Sequence, residues 1–191
     1  MNIIVEEVAR LEKILKIILN SIEPFSLSIS MVDIKGLVQE VLSGLQPLMS
    51  AKHITLKESI SPLVDAFYGD GVLLKKAFDS LLKHAVVSMP DGEELMVSSQ
   101  TEGDRLVFTM RHKANGMTQD DLDQFFYPHV TGTPESTILE LPQSKIIIHR
   151  HGGKVDVLME GEDIVLRVEL PFIPVGMDKV PLGAASQEVP S

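Results

Sequence analysis

The chain has 191 residues, 44% of them hydrophobic, enough for one domain with its own core plus an appendage. Seventeen basic against 27 acidic residues give a net charge of -10, which disfavours nucleic acid and anionic membrane as partners and suits a basic protein surface. The absence of cysteine excludes disulfides, thiolate metal sites and thiol nucleophiles together and fits a reducing, cytoplasmic setting, on its own or as the cytoplasmic part of a larger sensor.

Along the first segment Ile4, Val8, Leu11, Leu15, Ile18 and Ile22 recur at alternating spacings of four and three, the seam of a coiled-coil or four-helix-bundle helix. Ile14 and Ile17 widen that stripe. Such a face is buried by a partner helix, from a second chain or from upstream residues, or else by this chain's own core. Pro24 ends the helix, so residues 1–24 read as a dimerisation segment and imply a homodimer. Glu6, Glu7, Arg10, Glu12, Lys13 and Lys16 interrupt its apolar run, which is therefore neither a signal peptide nor a membrane span; no direct membrane contact is expected.

Residues 25–173 read as a single domain. Asp33 is placed to cap a helix running to about Ala51, with Ile34, Leu37, Val38, Val41, Leu42 and Leu45 on one face. His53 to Ile60 alternates as a strand does, and Asp70 to Met89 returns to helical spacing through Leu73, Leu74, Ala77, Phe78, Leu81, Leu82, Ala85 and Val86. Pro90, Asp91 and Gly92 form a turn, followed by strands at Glu94–Gln100 and Arg105–Arg111 around Gly103. A short helix from Thr118 to about Phe125, a loop through Pro134 and a helix at Pro142–Arg150 stopped by Gly152 and Gly153 come next. Strands at Lys154–Met159 and Asp163–Leu170 complete the fold, and residues 174–191 read as a flexible tail. This order predicts an α/β sandwich, an α+β arrangement with helices on one face of a mixed sheet.

With these residues inside it, that order resembles the C-terminal half of a sensor histidine kinase: the second dimerisation helix followed by the GHKL-type ATPase domain. Glu6 to Leu19 is similar to the family's Glu-x-x-Arg-Leu-x-x-Leu helix. Tyr68, Gly69 and Asp70 resemble the approach to the N box, and Phe126, Tyr127, Pro128 and His129 resemble the F box. His151, Gly152 and Gly153 match the His-Gly-Gly that follows the lid helix, and Glu169, Leu170 and Pro171 look like the closing strand. The resemblance implies an ATP-binding fold, a homodimer through the N-terminal helix and a response-regulator receiver domain as partner.

The same resemblance puts the ligand-contacting positions on residues that suit the chemistry poorly. Ser80 and His84 stand where the N box has asparagines, and an imidazole is a poor oxygen-type ligand for magnesium. His84 reads either as a structural histidine or as a ligand for another metal. His112 stands where an aspartate accepts the adenine amino group; a neutral imidazole offers one acceptor for that contact and a cation none. Ala114 replaces the first glycine of that box, and Gly116 keeps the second. Ser136, Ile138 and Glu140 replace the three lid glycines beside Thr137, where β-branched and acidic side chains resist the open backbone that wraps phosphates. A carboxylate at ~6 Å in an effective dielectric of ~20 repels each phosphate charge by roughly 2–3 kcal/mol.

No histidine precedes His53, so the phosphoacceptor that the resemblance implies either lies outside this chain or does not exist. Asp120, Asp121 and Asp123 near Glu135 could be gathered into a metal cluster, but Thr118 with Asp121 fits a capped helix start better. We therefore expect no catalytic residue, no metal and no cofactor. The degenerate cofactor positions are Ser80, His84, His112, Ala114, Gly116 and Thr137, and the expected role is docking or phosphotransfer in two-component signalling. The alternative is a working Mg-ATP-dependent kinase core, with Lys113, Asn115, Gly116 and Thr137 taking over parts of the site.

Overall fold

The computed structural model describes residues 26–60, 67–113, 116–127 and 139–172. The expected N-terminal helix and the tail lie outside them, as do Ala114 and Thr137. The order is β1 (Ser30–Val32), α1 (Ile34–Ala51), β2 (Thr55–Ile60), β3 (Phe67–Gly69), α2 (Gly71–Ser88), β4 (Glu94–Glu102), β5 (Arg105–Lys113), α3 (Gln119–Asp123), α4 (Glu140–Arg150), β6 (Lys154–Glu160) and β7 (Asp163–Pro171). Five strands form one sheet in the order β2-β4-β5-β7-β6; β2 and β4 are parallel and the other pairs antiparallel. The parallel pair is possible because the connection from β2 to β4 contains α2, long enough to cross back over the sheet.

The expected α/β sandwich is the observed fold. In β5 Leu106, Phe108 and Met110 turn toward the helices, and in β7 Leu166, Val168 and Leu170 do the same. Arg111 and Arg167 point the other way: Arg111 pairs across strands with Asp163 and Glu160, and Arg167 pairs across strands with Glu102 and along its own strand with Glu169. The middle helix, α2, packs between α1 and α4. Its Phe78 meets Phe108 of β5 edge to face at 5.0 Å between ring centres.

Local chemistry sets the element ends. The Asp33 carboxylate accepts the Gly36 N–H at 2.8 Å and caps α1. At the other end the Ile54 N–H donates to the Met49 carbonyl and the His53 N–H to that of Ser50, a Schellman turn with His53 at φ 55. A left-handed residue cannot begin a strand, so β2 starts at Thr55 rather than at the expected His53. Lys52, beside that turn, donates from Nζ to the carbonyls of Val86, Val87 and Met89 at 3.1, 2.9 and 2.6 Å. It thus supplies the positive charge that the last turn of α2 lacks.

Two elements differ further from expectation. The helix α4 begins at Glu140, before Pro142, because a proline in the first turn forfeits only an N–H that has no helical partner. The strands β1 and β3 were not anticipated: three residues each are too few for alternation to register, and they pair antiparallel, Met31 opposite Tyr68. The outer strands of the main sheet, β2 and β6, each carry a lysine, Lys57 bound to Glu94 at 2.7 Å and Lys154 bound to Asp156 at 2.5 Å.

The glycines divide by what a methyl group would meet. At Gly153 it would lie 2.5 Å from the Glu169 carbonyl oxygen; at Gly44, inside α1, it would meet nothing within 4 Å. Gly153→Ala is expected to destabilise the fold by about 1–3 kcal/mol, and Gly44→Ala to stabilise it by about 1 kcal/mol. Urea unfolding of both variants checks the opposite signs.

Candidate functional site

Tyr68-Gly69-Asp70 and His151-Gly152-Gly153, far apart in sequence, meet in the fold. The Asp70 N–H donates to His151 Nε2 at 2.9 Å, and His151 Nδ1 lies 2.8 Å from the Ile147 carbonyl. A carbonyl only accepts, so Nδ1 carries the proton and Nε2 the lone pair. The Asp70 carboxylate in turn accepts the N–H groups of Ser28 at 3.0 Å and Leu73 at 3.1 Å. These donors, Ser28 first and Leu73 next, hold its pKa below the ordinary carboxylate value. Gly69 is required here because an added Cβ would lie 2.5 Å from the Phe67 ring and 3.1 Å from His151. This junction fixes where α2 starts and where α4 ends.

Between those fixed ends, α2 presents Ser80, Lys83 and His84 toward α4 and the turn after α3. Ser80 is buried and its hydroxyl donates to the Lys76 carbonyl at 3.0 Å, one turn back on its own helix. The half-buried His84 ring lies edge to face on Phe125 with centres 4.8 Å apart, and Phe125 on Phe126 at 5.0 Å. Lys145 of α4 holds its ammonium 5.0 Å above the Phe126 ring. Lys83 Nζ lies 3.5 Å from a Glu140 carboxylate oxygen, so the first residue of the lid helix is paired with the helix across from it. Leu141, next along, packs against the core.

His112 closes the other side, on the helix-facing side of β5. It is 2% exposed, with Nδ1 2.9 Å from the Lys113 carbonyl. Nδ1 therefore carries the proton there too, and Nε2 is a buried acceptor with no hydrogen-bond partner among the described residues. Burial pushes its pKa below the ordinary histidine value, outweighing the opposing pulls of the Lys113 carbonyl and the Asp163 charge. Gly116 takes φ 69, a conformation glycine adopts without strain.

Thus Ser80 and His84 share one helix, His112 sits in the sheet and Gly116 in the loop after it. Thr118 and Asp121 form the expected capping box: the Asp121 N–H donates to the Thr118 hydroxyl, and the Asp121 carboxylate accepts the Thr118 N–H. Among the described residues no group of three or more His, Asp or Glu side chains could hold a metal ion. Sequence reasoning missed Lys83, Phe125 and Lys145. The i, i+1 placement of Lys83 beside His84 was visible, but the partners of all three lie on other elements.

The fold is the α/β sandwich of the GHKL-type ATPases, with α2 in the connection that joins the parallel strands β2 and β4. The chain belongs to the histidine kinase-, DNA gyrase B- and HSP90-like ATPase family, whose model matches residues 69–174, more than half of its length. Among curated proteins it is 25% identical over 172 residues to sporulation kinase E of Bacillus subtilis, covering 89% of this chain and 23% of that protein. It is 23% identical over 174 residues to sensor histidine kinase ZraS of Salmonella typhimurium, covering 90% of this chain and 37% of that one. It thus spans well under half the length of either relative. The structure of full-length ShkA in complex with AMPPNP superposes with a TM-score of 0.71 at 19% identity, over 88% of this chain and 36% of that one. Histidine kinase ThkA in complex with response regulator protein TrrA gives 0.69 at 20% identity, over 92% of this chain and 51% of that one. Among the described residues no helix is long and apolar enough to cross a membrane.

An imidazole that charges less readily in the folded than in the unfolded chain loses stabilising effect as pH falls through the unfolded value of about 6.5. In a histidine-resolved NMR titration of the folded protein His112 should remain neutral below pH 6.5, where an ordinary histidine charges. Its titration at or above that value would contradict the arrangement.

Proposed function

We propose that this chain is the dimerisation-segment and ATPase-like portion of a two-component signalling protein whose nucleotide site does not support ordinary autophosphorylation. On this reading residues 1–24 form the dimer segment, residues 25–173 the ATPase-like domain and residues 174–191 a flexible tail. The dimer works in the cytoplasm as a docking or phosphotransfer module for a response-regulator receiver domain. The observation that carries this is the engagement of Ser80 and His84 with their own fold: one hydroxyl bound back to its helix, one imidazole set edge to face against Phe125. Magnesium takes hard oxygen ligands in octahedral geometry, and this pair does not fit it. No phosphoryl-transfer step is therefore assigned to any residue.

The Glu140 carboxylate contributes less than its sequence position implies. Lys83 lies against it and offsets part of its repulsion toward a phosphate, so the missing oxygen ligands are the larger obstacle. The resemblance in fold to ThkA, which has been seen with a response regulator, supports the docking half of the reading.

One observation favours a second reading, a working kinase core with its phosphoacceptor helix outside this chain. His112 offers a neutral, buried acceptor where the resemblance expects the base-reading aspartate. That nitrogen is suited to an adenine amino group. Lys113, Asn115, Gly116 and Thr137 would then complete the site.

Titration of the whole chain with labelled ATP and magnesium tests both. The first reading expects no saturation below about 1 mM; a micromolar dissociation constant overturns it. In that event His112→Leu should weaken binding about tenfold, the loss of one hydrogen bond to a buried acceptor.

A further inference from the structure

The chain carries a net charge of -10, yet where α2 faces the start of α4 the fold brings two lysines together around a single glutamate. Lys83 of α2 lies 3.5 Å from Glu140, too long for a strong hydrogen bond, and its side chain is 42% exposed. Lys145, further along α4, rests 5.0 Å above the Phe126 ring and meets no carboxylate among the described residues. Phe126 leads through Phe125 back to His84, the neighbour of Lys83, so one continuous rim joins the two ammonium groups. The acidic residues just before Phe125 are engaged in their own short helix: Asp121 caps it, and Asp123 accepts from the Gln119 side chain at 3.0 Å.

We infer that Lys83 and Lys145 form a binding site for a polyphosphate anion free of metal, with Glu140 as the internal carboxylate that the ligand displaces from Lys83. This site rests on the first functional reading, in which Ser80 and His84 do not hold magnesium. A chain of phosphates brought against protein needs its charge offset, and without oxygen ligands to seat a metal ion the offset falls to side-chain cations. An ammonium suits that task, because it binds phosphate as a point charge with three donors and demands no fixed geometry. The ring beneath Lys145 takes one side of its ammonium and leaves donors on the other. Both lysines are half-buried, which holds their stems while the charged heads stay within reach of solvent. A half-exposed pair as long as that of Lys83 and Glu140 is weak, so an anion of several charges outcompetes the one carboxylate.

The sign of magnesium's effect follows from these groups. Where a site supplies oxygen ligands, the metal strengthens the binding of phosphates. Here it would take up ligand charge that Lys83 and Lys145 otherwise meet, and would weaken binding. Removing the charge of Glu140 acts the other way, since it frees Lys83 and removes a repulsion at once.

Calorimetric titration of the whole chain with sodium tripolyphosphate and with ATP, both in EDTA, tests the site. Saturation is expected below about 1 mM, and excess magnesium should weaken the binding of ATP about fivefold or more. Lys83→Met and Lys145→Met should each weaken binding about tenfold, while Lys83→Arg, which keeps the cation, should stay within about threefold of the parent. Glu140→Gln should tighten binding about threefold or more, and Lys154→Met, on the outer strand β6, should change nothing. Lys83→Arg separates loss of charge from loss of fold. Saturation by tripolyphosphate as well as ATP assigns the site to the phosphates alone; saturation by ATP only, lost in Lys83→Met, assigns it to the phosphates of a nucleotide. Absence of saturation by either anion in EDTA overturns the inference and leaves the functional reading standing, whereas micromolar binding that requires magnesium overturns both. Binding in EDTA that survives the combined Lys83→Met and Lys145→Met change places the anion elsewhere and overturns the inference as well.

Discussion

Three pieces of chain converge on Asp70, and the rest of the sandwich is built outward from that junction. Its backbone N–H is held by His151 at the end of α4, and its carboxylate takes the N–H of Ser28 as the chain enters the domain and that of Leu73 as α2 begins. The bond between the Asp70 N–H and His151 is buried, so breaking it leaves a donor and an acceptor with nothing in exchange, a penalty of about 1–3 kcal/mol; the two bonds to the carboxylate are part-buried and cost less. A neutral imidazole is suited to this position since it offers one donor and one acceptor on opposite sides of a small ring. Gly69 and Gly153 let the surrounding backbone approach closely enough for the bonds to form.

That junction separates two kinds of family resemblance in the chain. Tyr68-Gly69-Asp70 and His151-Gly152-Gly153 are accounted for by architecture: they hold helix ends together and need no ligand to justify them. The residues facing the expected ligand are accounted for differently, because Ser80, His84 and Glu140 each have a partner within the protein. A fold can therefore keep the first set while the second changes, since they belong to different energetic tasks. His112 is the exception, buried in the framework yet with one nitrogen unused among the described residues.

How much of this could be read beforehand follows from length and locality. The helices α1 and α2, each 18 residues long, repeat their apolar face many times, and both of their aspartate caps announce themselves within three residues of the groups they bind. The long hairpin strands alternate clearly for the same reason. The β1–β3 ribbon was invisible because three residues cannot display a period, and the late start of β2 because nothing in the letter His signals a left-handed backbone. In the site, the replaced positions were legible one by one, yet their partners were not. Glu140 looked like a bare carboxylate until folding brought Lys83 alongside, and Phe126 of the expected F box proved to be the neighbour of the residue that meets His84, Phe125.

The two rims of the main sheet have a bearing on how copies of this molecule can associate. An unpaired strand edge is an open template for another chain, and both rims here are guarded by a lysine that stays solvated while it holds a neighbouring carboxylate. Joining two sheets rim to rim would strip water from those charges on both sides. Fibre-like growth is thereby discouraged, and self-recognition is steered to faces where oily side chains meet one another.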